Sequence, residues 1–146
     1  MPLAPCELET AFAAMLAVAG VFDAAVDLAL LDDAAMEALH AESLGCVGPT
    51  NILAFPELSR APESSGAPRA LGSLALSVDT LERECFLYGQ EPLEHCIRLL
   101  SHGLAHLLGH DHGPAMSALA ERMEGAALVS FRPEGALPPQ TPLQGG

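Results

Sequence analysis

The chain has no lysine and no tryptophan, and its only basic side chains are six arginines (Arg60, Arg69, Arg83, Arg98, Arg122 and Arg132) against nineteen acids. The formal net charge is −13. A protein that holds nucleic acid unaided carries a basic footprint, because neutralising phosphates supplies most of the affinity. This chain lacks one overall, so any nucleic-acid substrate must be held by a small local patch or delivered by a partner. Aromatic residues make up 4% of the chain, so Ala and Leu fill the apolar positions. The four cysteines (Cys6, Cys46, Cys85 and Cys96) form no CxxC pair. With no secretory signal, a disulfide framework is not expected, and the thiols read as free and buried in a reducing cytoplasm. No long hydrophobic run is present either. Residues 11–21 are apolar but short, follow Glu7 and Glu9, and lack a positive leader, so they read as a core helix and not as a signal peptide or membrane span.

What is present is enough for one core. Half of the 146 residues are apolar, which predicts a single domain over residues 1–131. The tail 132–146 is rich in Pro, Gly and Gln, has little to bury and reads as flexible. Apolar spacing predicts a helix over 7–19, stopped by Gly20. Residues 26–31 read as a short buried strand. Asp32 and Asp33 read as the cap of a helix over 34–43, ended by Gly45. Residues 51–55 form a strand that Pro56 stops, and 57–68 are a loop by composition. A strand over 71–77 and a helix over 78–87 follow. Pro92 opens a long helix that Gly109 ends, and a last helix covers Pro114–Val129. This order implies a small α+β or α/β domain with one sheet.

The chemistry concentrates in Ser101-His-Gly-Leu-Ala-His-Leu-Leu-Gly-His-Asp-His112. His102 and His106 are four apart, so one helical face presents both imidazoles, as two vertices of a tetrahedral metal site require. Gly109 lets the chain leave the helix with φ > 0 and turn back, which brings His112 round as third ligand. Three protein ligands and one position left for water describe a catalytic zinc site. The plainer alternative is a polar helix face that happens to carry histidines; three histidines with a hinge glycine at this spacing is the rarer pattern. His110 could replace His112, serve as a substrate group or be exposed, and exposure is the expectation. Asp111 reads as an acceptor that fixes an imidazole tautomer or as a turn residue. His40 and His95 have no sequence partners and read as surface residues. The spacing equals that of the metzincin proteases, HExxHxxGxxH, where the Glu is the general base. Gly103 stands in its place and cannot take a proton, which argues against peptide hydrolysis.

The full segment resembles instead that of the YbeY family of bacterial zinc-dependent endoribonucleases that act in ribosomal RNA maturation. Pro49-Thr-Asn-Ile-Leu-Ala-Phe-Pro56 is similar to the family's PTNVLSFP strand, and Leu71-Gly-Ser-Leu-Ala-Leu-Ser77 to its LGDIVIS strand. Order and spacing agree over roughly residues 8 to 128. The resemblance implies an α+β fold, a small mixed sheet packed by several helices, with the metal-binding helix lying over it. It implies one Zn2+ held by His102, His106 and His112, cytoplasmic cleavage of single-stranded RNA, and rRNA, the ribosome or a ribosomal protein as partner. Zinc lowers the pKa of bound water from 15.7 to about 7, so no strong protein base is needed. Thr50, Asn51 and Phe55 are placed beside the cleft, although Phe55 reads better as sheet packing. Three departures stand out. Ser43 and Leu44 occupy the places of the family's aromatic-Arg pair, Ser73 replaces the Asp of LGD, and His110 replaces a Tyr. Arg60 or Arg69 are the candidates to supply the missing cation, if they are not simply solvent-facing loop charges. Rival readings are a zinc-stabilised ribosome-associated factor that has lost its catalytic arginine, and a metzincin-like metallopeptidase.

Overall fold

The computed structural model describes residues 1–44, 50–57, 68–110 and 113–131. In chain order these form α1 (Pro5–Val18), β1 (Ala24–Leu31), α2 (Asp33–Leu44), β2 (Ile52–Pro56), β3 (Arg69–Ser77), α3 (Val78–Tyr88), α4 (Pro92–Leu107) and α5 (Pro114–Val129). The three strands make one mixed sheet in the order β1-β3-β2. β1 runs parallel to β3 and β2 antiparallel to it. The fold is therefore α+β with a single small sheet, as expected. The calls at Gly45, over 58–67 and over 132–146 lie outside the described residues.

Strand alternation divides the sheet between two layers. Leu74 and Leu76 of β3, with Ile52 and Ala54 of β2, face the larger core built with α1, α4 and α5. Leu53, Phe55 and Ala75 face the other way, where Met36 and Leu39 of α2 cover them. β1 differs from the buried strand predicted over 26–31. Up to Ala29 its residues alternate between half-buried and exposed, and Leu30 is exposed as well; β1 is an edge strand, with one face toward the core and the other toward solvent. The cysteines also depart from expectation: Cys96 is buried, Cys85 is half-buried and Cys6 is exposed, all as free thiols, and Cys46 lies outside the described residues.

Ser77 and Asp33 join three elements. The Ser77 hydroxyl accepts from the Thr80 backbone N–H and caps α3. Asp33, at the start of α2, accepts from Ser77 Oγ at 3.1 Å, from Thr80 Oγ1 at 2.9 Å and from the Arg83 guanidinium. The Arg83 guanidinium foremost, then the Thr80 hydroxyl, holds the Asp33 carboxyl below the usual carboxylate value.

Candidate active site

α4 is the central helix of the domain. Glu91 caps its N-terminus by accepting from the Glu94 N–H at 2.8 Å, and Pro92 takes the first turn, where its missing N–H costs nothing. A helix that is apolar on nearly every side belongs in the interior. From His95 to Leu107 every residue of α4 is buried except Arg98, His102 and His106. These three stand four apart, so they form one row along the helix. Among the described residues, the fold thus leaves this row half-open along the buried part of α4, and both predicted imidazoles stand in it.

Gly103 explains how α4 sits so deep. A Cβ built there would lie 2.9 Å from Ile52 Cδ1 and 2.9 Å from Leu74 Cδ2. The helix backbone rests on β2 and β3 at the one residue with no side chain. The absent glutamate of the metzincin pattern therefore has a steric counterpart, since a side chain at 103 would point into the sheet and not into the cleft.

The C-terminus of α4 is fixed by a Schellman turn. Gly109 N–H donates to the His106 carbonyl at 3.0 Å and His110 N–H to the Ala105 carbonyl at 3.1 Å, with Gly109 at φ +94°. This pairing satisfies two of the helix's last carbonyls and turns the chain sharply. His110 emerges half-buried, not exposed as expected. Asp111 and the third predicted ligand, His112, lie outside the described residues. Among the described residues no three His, Cys, Asp or Glu side chains converge as a metal cage; the described part of the set is the two imidazoles. Two imidazole nitrogen donors four residues apart in one half-open row are of a kind and spacing that suits zinc.

A polar network extends from this row toward the N-terminus of α4. His95 Nε2 lies 2.9 Å from Glu84 Oε1 on α3, and Asn51 Nδ2 donates to the same carboxylate at 3.3 Å. Arg98 donates to Gln90 Oε1 at 2.9 Å and to Glu124 Oε1 of α5 at 3.2 Å, with one nitrogen 3.5 Å from His95 Nδ1. This corrects the reading of His95 as a surface residue. It is 9% exposed, and its burial is supported by a carboxylate from an element 11 residues away in sequence. The orientation requires the proton on Nε2 to face Glu84. His40 is half-buried.

The structure brings only some of the predicted site residues together. His102 and His106 share one row. Asn51, which precedes β2, joins the network two turns before His102, and half-buried Thr50 adjoins it. Phe55 packs on the α2 side of the sheet. Arg69 opens β3 at the far end, where its N–H donates to the Asp23 carbonyl at 2.9 Å, and it lines a cavity with His110. Arg60 lies outside the described residues, as does any side-chain position for Leu44 at the end of α2. Glu84, Arg98 and Arg122 were not singled out from the sequence. Arg98 had a usable signal, four residues before His102 as His106 is four after it.

The chain is similar to known proteins over most of its length. A family model described as Endoribonuclease YbeY matches residues 7–129. A protein of Nitratidesulfovibrio vulgaris named Endoribonuclease YbeY is 43% identical over 143 residues, covering 89% of this chain and 88% of that protein. One of the same name from Oleidesulfovibrio alaskensis is 42% identical over 138 residues, covering 84% and 82%. The solution structure of TM1509 from Thermotoga maritima aligns with a TM-score of 0.62 at 15% identity, over 94% of this chain and 96% of that one. The last likeness concerns the fold alone.

Proposed function

The chain belongs to the endoribonuclease YbeY family, and on that premise we propose that it hydrolyses single-stranded RNA at a zinc ion held by His102, His106 and His112. The observation that carries this reading is the row on α4, which from His95 to Leu107 is buried at every position but Arg98, His102 and His106. Zinc at such a site supplies Lewis acidity and a nucleophile at neutral pH. The chain's own residues hold and orient. The two imidazoles are fixed at one helical spacing by a helix that cannot rotate in its packing. Gly109 and the Schellman turn end α4 within one turn of His106. Glu84 ties down the amide of Asn51 beside the same helix. Gly103, seated on Ile52 and Leu74, leaves no general base next to His102, which disfavours peptide hydrolysis.

With a net charge of −13, this chain has little long-range attraction for RNA. We place its work in rRNA maturation and ribosome quality control in the cytoplasm, with RNA presented by the ribosome or a ribosomal protein. Cleavage of naked single-stranded RNA and of ribosomal particles, each by wild type and by His106→Ala, tests this. The substitution is expected to remove zinc and lower cleavage by more than about 100-fold, beyond the loss that changes around a metal's ligands cause. Equal zinc content and equal cleavage in His106→Ala would refute the assignment. Leu44→Arg separates the rival: no gain in cleavage, with ribosome binding intact, would favour a ribosome-associated factor.

A further inference from the structure

Four arginines fall among the described residues, and they are used in two ways. Arg83 pairs with Asp33 and Arg98 with Glu124. Arg69 and Arg122 make no ion pair among the described residues, and both line the same cavity, of about 440 Å³. Its walls come from the end of α1, the start of β3, the end of α4 and the first turns of α5. His110, directly after the Schellman turn of α4, lines it too, and none of its described lining residues is a carboxylate. In a chain with more than three acids for each base, two guanidiniums without an ion pair among the described residues around one cavity are a local inversion of charge.

We propose that this cavity is a phosphate subsite, in which Arg69 and Arg122 hold a backbone phosphate of the single-stranded RNA beside the metal segment. The proposal rests on the ribonuclease reading for the identity of the ligand, though not for its charge. Arginine suits the task because its fork of N–H donors matches phosphate oxygens. The volume lies within the range of ordinary ligand pockets, and the apolar remainder of the wall (Val21, Leu108, Leu119) suits a sugar or base edge. The position suits the strand as well. Leu108 and His110, two and four residues after His106, put this cavity at the C-terminal end of the helix that carries the imidazoles. The competing account of Arg122 is that it caps α1, since its Nη2 lies 3.5 Å from the Val18 carbonyl. That contact is long and exposed, and it leaves the other donors of the fork unengaged.

The test is binding of a 2′-O-methyl single-stranded RNA of about ten nucleotides to the zinc-loaded full chain, by fluorescence anisotropy across a salt series. Arg69→Gln and Arg122→Gln are each expected to weaken binding about five- to tenfold and to reduce the slope of log K against log salt by roughly 0.7, the value for one single-strand phosphate contact. Arg122→Lys should keep the slope that Arg122→Gln loses, a dependence on charge that a helix-capping role would not predict. Arg83→Gln should change neither quantity. Unchanged affinity and slope in both glutamine variants would overturn the subsite, and continued RNA cleavage would leave the ribonuclease reading standing. Calorimetry with inorganic phosphate separates the remaining case. Phosphate binding that needs Arg69 and Arg122, in a wild type that neither binds nor cleaves RNA, would keep the anion site and remove the ribonuclease reading.

Discussion

Replacing Gly103 tests the seating of α4 on the sheet. In an open helix, Gly→Ala stabilises by about 1 kcal/mol through backbone propensity. At this position the new methyl would meet Ile52 Cδ1 and Leu74 Cδ2, both at 2.9 Å, and Leu74 is fully buried, so it cannot move aside into solvent. Overpacking of this kind costs about 1–3 kcal/mol. The two effects oppose, and Gly103→Ala is expected to lose about 1 kcal/mol net. Gly103→Glu adds a carboxylate with no partner between α4 and β3, for several kcal/mol more. The total approaches the whole stability of a domain, about 5–15 kcal/mol, so this variant should unfold rather than acquire peptidase activity. Urea denaturation followed by circular dichroism measures both. A double-mutant cycle with Leu74→Ala sharpens the assay, because the cavity left by that truncation is where the alanine methyl would go. The pair should be less destabilised than the sum by about 0.5–3 kcal/mol. A stabilised Gly103→Ala, with effects that simply add in the double variant, would show that α4 does not rest on Leu74.

Three further outcomes follow from other parts of the molecule. His102→Ala, measured by elemental analysis, should lose zinc as His106→Ala does, and zinc binding to wild type should weaken on acidification because protons compete for the imidazoles; pH-independent zinc content would contradict imidazole ligation. Asp33, held below the ordinary carboxylate value chiefly by Arg83, has a folded pKa under its unfolded one, so its stabilisation is present above about pH 3.9 and is lost as the pH falls through the folded value. Asp33→Asn should therefore flatten the acid limb of the stability curve, and an unchanged limb would refute the pairing. Burial pushes the Cys96 thiol up to about 12, so at pH 8 the folded chain should react with Ellman's reagent at exposed Cys6 and not at Cys96; labelling of Cys96 without denaturant would show that α4 opens.

What could be read from the sequence depended on whether the cause was local. Helices over Pro114–Val129 and from Pro92 onward were legible because caps, a first-turn proline and a stopping glycine sit beside the residues they govern. The imidazole pair was legible for the same reason, since spacing of four along a helix is a local fact. β1 was read as buried because its apolar run does not reveal which strand lies beside it; only the order β1-β3-β2 makes it an edge. His95 was read as exposed because its partner, Glu84, comes from another helix. The cavity shared by Arg69 and Arg122 joins residues 53 positions apart, and no periodicity announces such a meeting.

Gly103 shows the same limit from the other side. As a letter in a motif, it said only that one kind of general base was missing. Its contacts give a cause that holds whatever the reaction: the helix carrying the imidazoles is pressed against Ile52 and Leu74, and only a residue without a side chain permits that approach. The depth of α4 in turn buries the helix on all sides but one, which confines solvent-facing chemistry to Arg98, His102 and His106. Packing thus selects where on the helix a metal can be held. It also sets the cost of change, because truncating a histidine in the open row removes little packed surface, whereas altering Gly103 disturbs the core beneath. Replacing His102 should therefore abolish zinc binding while leaving the apo protein's denaturation midpoint nearly unmoved, and a large drop in that midpoint for His102→Ala would mean that the row is part of the core.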